Sequence, residues 1–270
     1  MPKIEFRPKS RVRPESVYLH QSYRNINSQV GQDGIFEKML EIIGAENKWC
    51  VEFGAWDGKY LSNTWNLIAT HQWSGVLVEG NEAKFRELQA NHANHKVDAF
   101  NEFVGFSGPN RLDEILHRTK APTNFDLLSI DIDGNDWHVW EALKDYRPRI
   151  VCIEFNPTIS NDVYFVQDAD PKVNQGCSLL ALIELGKAKG YELVATPSWD
   201  GIFVPEELFS KFGIADNSID AMYTPHQRET RLFQGYDGTF YAAGNLTVQW
   251  KEIPFQYDEL QVLPRAMRRW

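Results

Sequence analysis

The stretch that most limits how this chain can fold is Trp49 to Gly58, WCVEFGAWDG. An apolar run carries one acid, Glu52, and breaks into Gly54-Ala55-Trp56-Asp57-Gly58, with Ser62 and Asn63 opening the next segment. A short apolar run that stops at glycine and is followed by helix-start residues reads as a buried parallel strand, a tight turn and a helix. Glycine lets the backbone reach φ > 0 and approach a ligand closely. In open α/β sheets, ligands sit at the carboxyl ends of the strands, where this turn falls. The turn spells neither GxxxxGK[ST] nor GxGxxG, so phosphate-loop and dinucleotide fingerprints are both missing. It offers two carboxylates, Glu52 and Asp57, which suit a cationic or hydroxyl-rich cofactor better than a pyrophosphate.

The same grammar repeats. A helix is expected over Gly31 to Ile43, stopped by Gly44. After the first strand comes a helix over Leu61 to Thr70 with Trp65 and Ile68 inward. Next are a strand from Gly75 to Glu79, a helix capped by Asn81, a weaker strand around Val97 to Val104 and a short helix from Asn110. The strand Phe125 to Asp131 delivers Asp131, Asp133 and Asp136 to its end, and the strand Ile150 to Glu154 delivers Glu154 and Asn156. Residues 157–177 form a long polar loop, a length typical of functional lids or disorder. Ser178 starts a helix closed by Gly190, before strands Tyr191 to Thr196 and Gly201 to Val204. Four residues between these two leave no room for a crossover helix, so they pair antiparallel. Strands alternating with helices require a parallel, doubly wound α/β sheet with right-handed crossovers. A further hairpin is expected near Thr239 to Trp250.

The four strand-end stretches VEFGAWDG (51–58), GVLVEGNEAKF (75–85), FDLLSIDIDGND (125–136) and IVCIEFNP (150–157), with the antiparallel closing pair, resemble class I S-adenosylmethionine-dependent methyltransferases, and within them the FkbM-like group. DIDGND departs from the Asp-Val-Glu-Gly form of many such members. The resemblance implies a mostly parallel, seven-stranded Rossmann-like sheet with a closing antiparallel hairpin. The resemblance covers an S-adenosylmethionine-binding domain (31–205), flanked by what composition reads as a basic N-terminal arm (1–30) and by a C-terminal extension (206–270) expected to pack on the same domain. It also implies that Gly54, Ala55 and Asp57, with Glu52, border the methionine end of the cofactor, and that Glu79 binds the ribose hydroxyls. Asn101 and Glu102 are candidates for the adenine edge, and Asp131 reaches both cofactor and acceptor.

Methyl transfer to an alcohol needs aligned reactants and a base or divalent metal to accept the developing charge. Asp131, Asp133 and Glu154 are the catalytic candidates, with His138 as an alternative base whose bland reading is a helix-surface histidine. Asp133, Glu154 and Asn156 form a hard-oxygen set suited to Mg²⁺ or Mn²⁺. The group's resemblance to enzymes that modify bacterial capsular polysaccharides, heptose O-methyltransferases among them, implies a nucleotide-linked sugar as acceptor. Six basic residues against two acids in residues 1–24, and Arg228 and Arg231 with His226, are compatible with a diphosphate. A methyltransferase of another small hydroxylated metabolite, a nicotinamide-dependent oxidoreductase and a non-catalytic binding module are the competing readings.

Composition narrows the rest. A net charge of −9 argues against a general nucleic-acid binder. No run of 18 apolar residues and no apolar signal core at the start lead to the expectation of a cytoplasmic protein without a membrane span. Three cysteines without a CxxC pair read as inert core thiols. A small-molecule acceptor is the expected partner, and a homo-oligomer is compatible with the sequence.

Overall fold

The computed structural model describes residues 10–225, 230–244, 260–263 and 265–267. Its elements run α1 (Gln32–Ile43), β1 (Trp49–Phe53), β2 (Ser74–Val78), α2 (Glu82–Asn91), β3 (Val97–Phe100), α3 (Leu112–Leu116), β4 (Leu127–Ile130) and α4 (Asp136–Ala142). They continue with β5 (Val151–Glu154), α5 (Leu179–Ala188), β6 (Tyr191–Ala195), β7 (Asp200–Pro205), α6 (Glu206–Phe209), α7 (Ile219–Met222), β8 (Thr230–Gln234) and β9 (Phe240–Gly244). The strands β1 to β7 form one Rossmann-like sheet in the order β3-β2-β1-β4-β5-β7-β6. β1, β2, β3, β4 and β5 are parallel, and β7 alone runs against its neighbours β5 and β6. β8 and β9 make a separate antiparallel pair.

Strand alternation sends the side chains of each strand to opposite faces. Val51, Phe53, Val76, Val78, Leu128, Ile130, Val151 and Ile153 pack on one face against α3, α4 and α5. Cys50, Leu77, Leu127 and Cys152 pack on the other against α1, Ile68 and Leu88. All three thiols are buried, and burial pushes each pKa well up, as inert core cysteines require. Among the described residues, no helix is long and apolar enough to cross a membrane.

Several expectations need correcting. The helix expected over Leu61 to Thr70 is a five-residue π-helical turn, Asn66–Thr70, with Ile68 buried and Trp65 only half-buried. The residues ahead of it, Ser62 to Thr64, give their polar groups to Glu52 instead of to a helix. The hairpin expected near Thr239 to Trp250 lies at Thr230 to Gly244, turning through Asp237-Gly238 with Gly238 at φ +83; residues 245–250 lie outside the described set. The N-terminal arm, where it is described, packs on the rest of the chain. Leu19 is fully buried, Arg13 pairs with Asp216, and the Thr196 N–H donates to His20 Nε2 at 3.1 Å. Residues 1–9, with Lys3, Arg7 and Lys9, fall outside the described set, as do His226 and Arg228.

Asp33 fixes the last of this strap. Its Oδ2 accepts the backbone N–H groups of Ile26, Asn27 and Ser28, each at 2.8 Å, while Ser28 Oγ accepts the Asp33 N–H. This cap places Gln29 at the mouth of the pocket described next.

Candidate active site

A cavity of about 710 Å³ opens at the carboxyl ends of β1, β2, β4 and β5. Its floor depends on Gly54, which sits at φ +71. A Cβ there would lie 1.7 Å from the Asp131 carbonyl oxygen, so no other residue fits the turn as built. Ala55 is buried beside it, and its N–H donates to the Val78 carbonyl at 3.2 Å. The β1 turn is thereby stitched to β2.

Glu79 ends β2 and is 7% exposed. Its Oε2 accepts the Trp56 N–H at 2.8 Å and its Oε1 the Asn81 N–H at 2.6 Å. Each oxygen keeps a lone pair, so the carboxylate is rigidly aimed and still able to accept two hydroxyls. Glu52 is 6% exposed and occupied differently. Its Oε2 accepts the Ser62 and Thr64 hydroxyls at 2.6 Å each, and its Oε1 the Asn63 N–H at 2.8 Å. Burial raises its pKa against these bonds.

At the ends of β4 and β5, Asp131, Asp133 and Glu154 each present an oxygen within 4.8 Å of one another. Asp131 is exposed and lines the cavity. Burial raises its pKa well above the carboxylate range, and Asp136, Asp200, Asp133 and Glu52 push it the same way. Glu154 is raised well up by burial and then by Asp131. Asp133 takes φ +58, a left-handed conformation Asp tolerates better than most residues. Asp136 holds this turn from behind: Oδ1 accepts the Ile132 N–H and Oδ2 the Gly134 N–H, both at 2.9 Å. Burial raises its pKa to about 6. Asp200, paired in register with Glu154, is raised by burial to about 7.

Glu52, Gly54, Ala55, Glu79, Glu102, Asp131, Asp133 and Glu154 thus line one pocket. Four expected site residues do not. Asp57 closes its own turn, accepting the Lys59 and Tyr60 N–H groups. Asn101 donates to the Glu79 and Gly80 carbonyls, bracing the Glu79 strand end from outside the lining. Asn156 Oδ1 accepts from the Thr158 N–H and hydroxyl while its Nδ2 donates to the Gln175 carbonyl, so it stands apart from the acidic trio. His138 Nε2 donates to the Gln167 carbonyl at 2.8 Å, with the ring between Phe106 and Trp137, so it secures the 157–177 loop. Glu102 lines the cavity, but its carboxylate forms a bidentate pair with Arg118.

Six carboxylates line the cavity, and among the described lining residues there is no lysine, arginine or histidine. Trp56, Tyr60, Phe103 and Trp199 supply aromatic surface at its walls. Phe103 is 75% exposed and lies so close over Gly80 that a Cβ there would touch its ring at 2.3 Å. Asn63, Gln29 and Phe103 were not singled out from the sequence. Asn63 stood there only as a helix-start residue, although Ser-Asn-Thr beside a buried acid is itself a signal of side chains that hydrogen-bond locally.

No protein-family profile and no curated protein matches the chain. Solved structures do resemble it at a distance. A SAM-dependent methyltransferase from Aquifex aeolicus is 12% identical over 63% of this chain and 88% of that one, with a TM-score of 0.38. WbdD is 15% identical over 91% of this chain and 52% of its own length, with a TM-score of 0.41. An S-adenosylmethionine-dependent methyltransferase from Clostridium acetobutylicum is 10% identical over 66% of this chain and 93% of its own, with a TM-score of 0.40. At these TM-scores the activity has to be read from the chain's own strand order and pocket.

Proposed function

We propose that this chain is an S-adenosylmethionine-dependent O-methyltransferase acting on a sugar hydroxyl, with a nucleotide-linked sugar such as a heptose of capsule biosynthesis as its acceptor. The observation that carries the reading is a cavity lined by carboxylates at the ends of β1, β2, β4 and β5, floored by a glycine turn that tolerates no side chain. The reversed β7 supports it, because a dinucleotide-binding sheet ends 1-4-5-6 without such an insertion. A lining of acids with no lysine, arginine or histidine among the described residues favours a sulfonium over a pyrophosphate.

S-Adenosylmethionine, when bound, would supply an electrophilic sulfonium methyl: an acceptor oxygen forms an O–C bond to it in line as the S–C bond breaks, its electron pair going to sulfur and S-adenosylhomocysteine leaving. Glu79, held by two backbone N–H groups, receives the ribose diol. Gly54 and Ala55 let the backbone pass under the methionine end. Asp131 stands between the two ends, and its carboxylate, with a pKa raised by burial, is the base that would take the acceptor proton. A divalent cation fits the hard-oxygen set of Asp131, Asp133 and Glu154, and Mg²⁺ or Mn²⁺ held there would polarise the acceptor hydroxyl. Asn156 is not part of this set, since Thr158 holds its amide oxygen.

The acidic lining also orients the acceptor. A sugar ring presents hydroxyls to carboxylates and C–H faces to Trp56, Tyr60 or Trp199, whereas a diphosphate would meet like charge. The sugar therefore enters first and its diphosphate stays toward the rim.

Incubation with S-adenosylmethionine and a panel of nucleotide-linked sugars, with EDTA or with added Mg²⁺ or Mn²⁺, tests the reading by mass spectrometry. One methyl gained per sugar, lost with EDTA and regained with metal, is the expected result. Failure to bind S-adenosylhomocysteine in calorimetry, together with binding of NADH, would replace the reading with an oxidoreductase.

A further inference from the structure

The cavity follows the edge of the sheet. Its lining residues keep the strand order: Phe103 after β3, Glu79 after β2, Gly54 after β1, Asp131 after β4, Glu154 ending β5 and Trp199 just ahead of β7. Trp199 joins this row only because β7 is reversed. An antiparallel strand starts where its neighbour ends, and Asp200 is accordingly in register with Glu154. A parallel strand in that place would start at the far edge of the sheet.

The backbone fixes Trp199 firmly. Its carbonyl accepts the Phe155 N–H at 2.8 Å, and the Asp200 N–H closes the turn onto the Pro197 carbonyl at 3.0 Å. Ser198, inside that turn, takes φ +56, a left-handed strain of the kind that gathers at ligand sites. The side chain has no such ties. It is half-buried, and among the described residues its indole N–H has no hydrogen-bond partner and its ring no aromatic or cationic one. Two other aromatic walls are engaged already: Lys84 Nζ sits 4.8 Å over the Trp56 ring, and Phe103 rests on Gly80.

Resting on the methyltransferase reading, we propose that Trp199 is the platform on which the acceptor's sugar ring stacks, and hence a specificity-determining residue for a pyranose. Position assigns the occupant. With the ribose at Glu79 and the methionine end at Gly54, the base is left the Phe103 side. Four strand steps of about 4.8 Å, roughly 19 Å of sheet edge, separate β2 from β7. A nucleoside at Glu79 does not reach Trp199, so the second reactant lies there. Chemistry assigns its class. Asp131, Asp133 and Glu154 are acceptors only when ionised, so the ring beside them should be rich in hydroxyl donors, while an indole offers a broad apolar face. A pyranose has both features, with hydroxyls round its edge and C–H bonds on its faces. No lysine, arginine or histidine lines the cavity among the described residues, which disfavours a phosphate at this end.

The test uses the full chain saturated with S-adenosylhomocysteine, titrated by saturation-transfer NMR. The probes are the methyl α-pyranosides of glucose, mannose and galactose, and the open-chain alcohols sorbitol, mannitol and galactitol, which keep hydroxyls and lose the ring face. The expected result is that at least one pyranoside binds more tightly than its alcohol. Trp199→Ala should weaken that pyranoside by roughly fivefold or more, the worth of a stacked ring contact, and leave the alcohol unchanged. Trp199→Phe, which keeps a ring, should retain most of the preference. Calorimetry should give all three proteins the same affinity for S-adenosylhomocysteine within about twofold, showing that the variants are folded and that Trp199 stands outside the cofactor's half. Pyranosides that bind no better than the alcohols, or a preference untouched by Trp199→Ala, would overturn the proposal. Parallel loss of pyranoside and S-adenosylhomocysteine would overturn it too, because Trp199 would then hold the cofactor or the fold. Failure of the unaltered chain to bind S-adenosylhomocysteine is a separate result: it removes the methyltransferase reading, and this proposal with it.

Discussion

Asp200 offers a direct measurement of what it costs to gather carboxylates at one edge of a sheet. It is 3% exposed, accepts a hydrogen bond from Gln32 Nε2 at 2.5 Å and faces Glu154 across the β5–β7 pair. Burial raises its pKa from 3.8 to about 7, with Asp136 adding to the rise. The folded state therefore binds this proton more tightly than the unfolded chain. Its contribution to stability is full below 3.8 and is lost as the pH rises, completely so above about 7. Integrated between pH 5 and pH 8, one group with this shift removes roughly 2.5 kcal/mol. Asp131, Glu154 and Asp136 are raised as well, so their slopes have the same sign. Asp200→Asn keeps an oxygen for Gln32 and deletes the charge. Urea unfolding at pH 5 and pH 8 should show the unaltered chain losing stability with pH and Asp200→Asn losing about 2 kcal/mol less. Parallel losses in the two proteins would refute the buried, proton-holding Asp200.

Other substitutions probe separate parts of the fold and site. Gly54→Ala drives a Cβ into the Asp131 carbonyl; it should abolish S-adenosylhomocysteine binding in calorimetry and lower the melting temperature. Glu79→Gln keeps one acceptor for the two N–H groups of Trp56 and Asn81; it should weaken S-adenosylhomocysteine by roughly tenfold or more, the worth of a hydrogen bond to a charged group. Glu154→Gln should weaken Mn²⁺ binding, followed by electron paramagnetic resonance, and slow methyl transfer more than it weakens cofactor binding; unchanged Mn²⁺ binding would remove Glu154 from the metal set. Asp126, fully buried, accepts three backbone N–H groups from residues 46–48 and pairs with Arg149. Asp126→Ala should cost about 3–5 kcal/mol in denaturant unfolding, as breaking a buried pair does.

The parts of this architecture that were legible in the sequence are those set by local pattern. The runs Trp49 to Phe53, Leu127 to Ile130 and Val151 to Glu154 are apolar on both faces because both faces of the sheet are covered. Asn81 and Ser178 announce their helices, and both cap them: Asn81 Oδ1 accepts from Ala83 and Lys84, Ser178 Oγ from Ala181. The four-residue link at Pro197 to Asp200 forced the antiparallel pair seen at β6 and β7. What the pattern did not hold was where β7 would insert. Its pairing with β5 joins residues about fifty positions apart, and no local period records such a partner. The Leu61 to Thr70 helix was misread for a physical reason: Ser62, Asn63 and Thr64 carry side chains that compete with helix hydrogen bonds, and a buried glutamate won them. Nor does residue type reveal which polar atom is already engaged. His138, Asn156 and Asp57 have the right chemistry, but each has a protein partner away from the cavity.

The same distinction bears on how the pocket works. Six carboxylates line it, and of these Glu52 and Glu102 are already engaged in scaffolding: one accepts two hydroxyls and an N–H, the other pairs with Arg118. Glu79, Asp131, Asp133 and Glu154 remain to meet a ligand. Burial first, and then the neighbouring carboxylates, raise the pKa values of Asp131 and Glu154, since like charges this close oppose one another's ionisation in a low-dielectric site. On the proposed reading, a sulfonium or a divalent metal entering this set would lower those pKa values and be stabilised in return, so that the two cations would couple through the shared carboxylates and release protons on binding. S-Adenosylhomocysteine lacks the sulfonium charge, so at pH 7 its binding should release fewer protons than that of S-adenosylmethionine. Calorimetry in buffers of different ionisation enthalpy measures that difference. Equal proton release by both ligands would mean that the charge of the methyl donor is not what the acidic cluster senses.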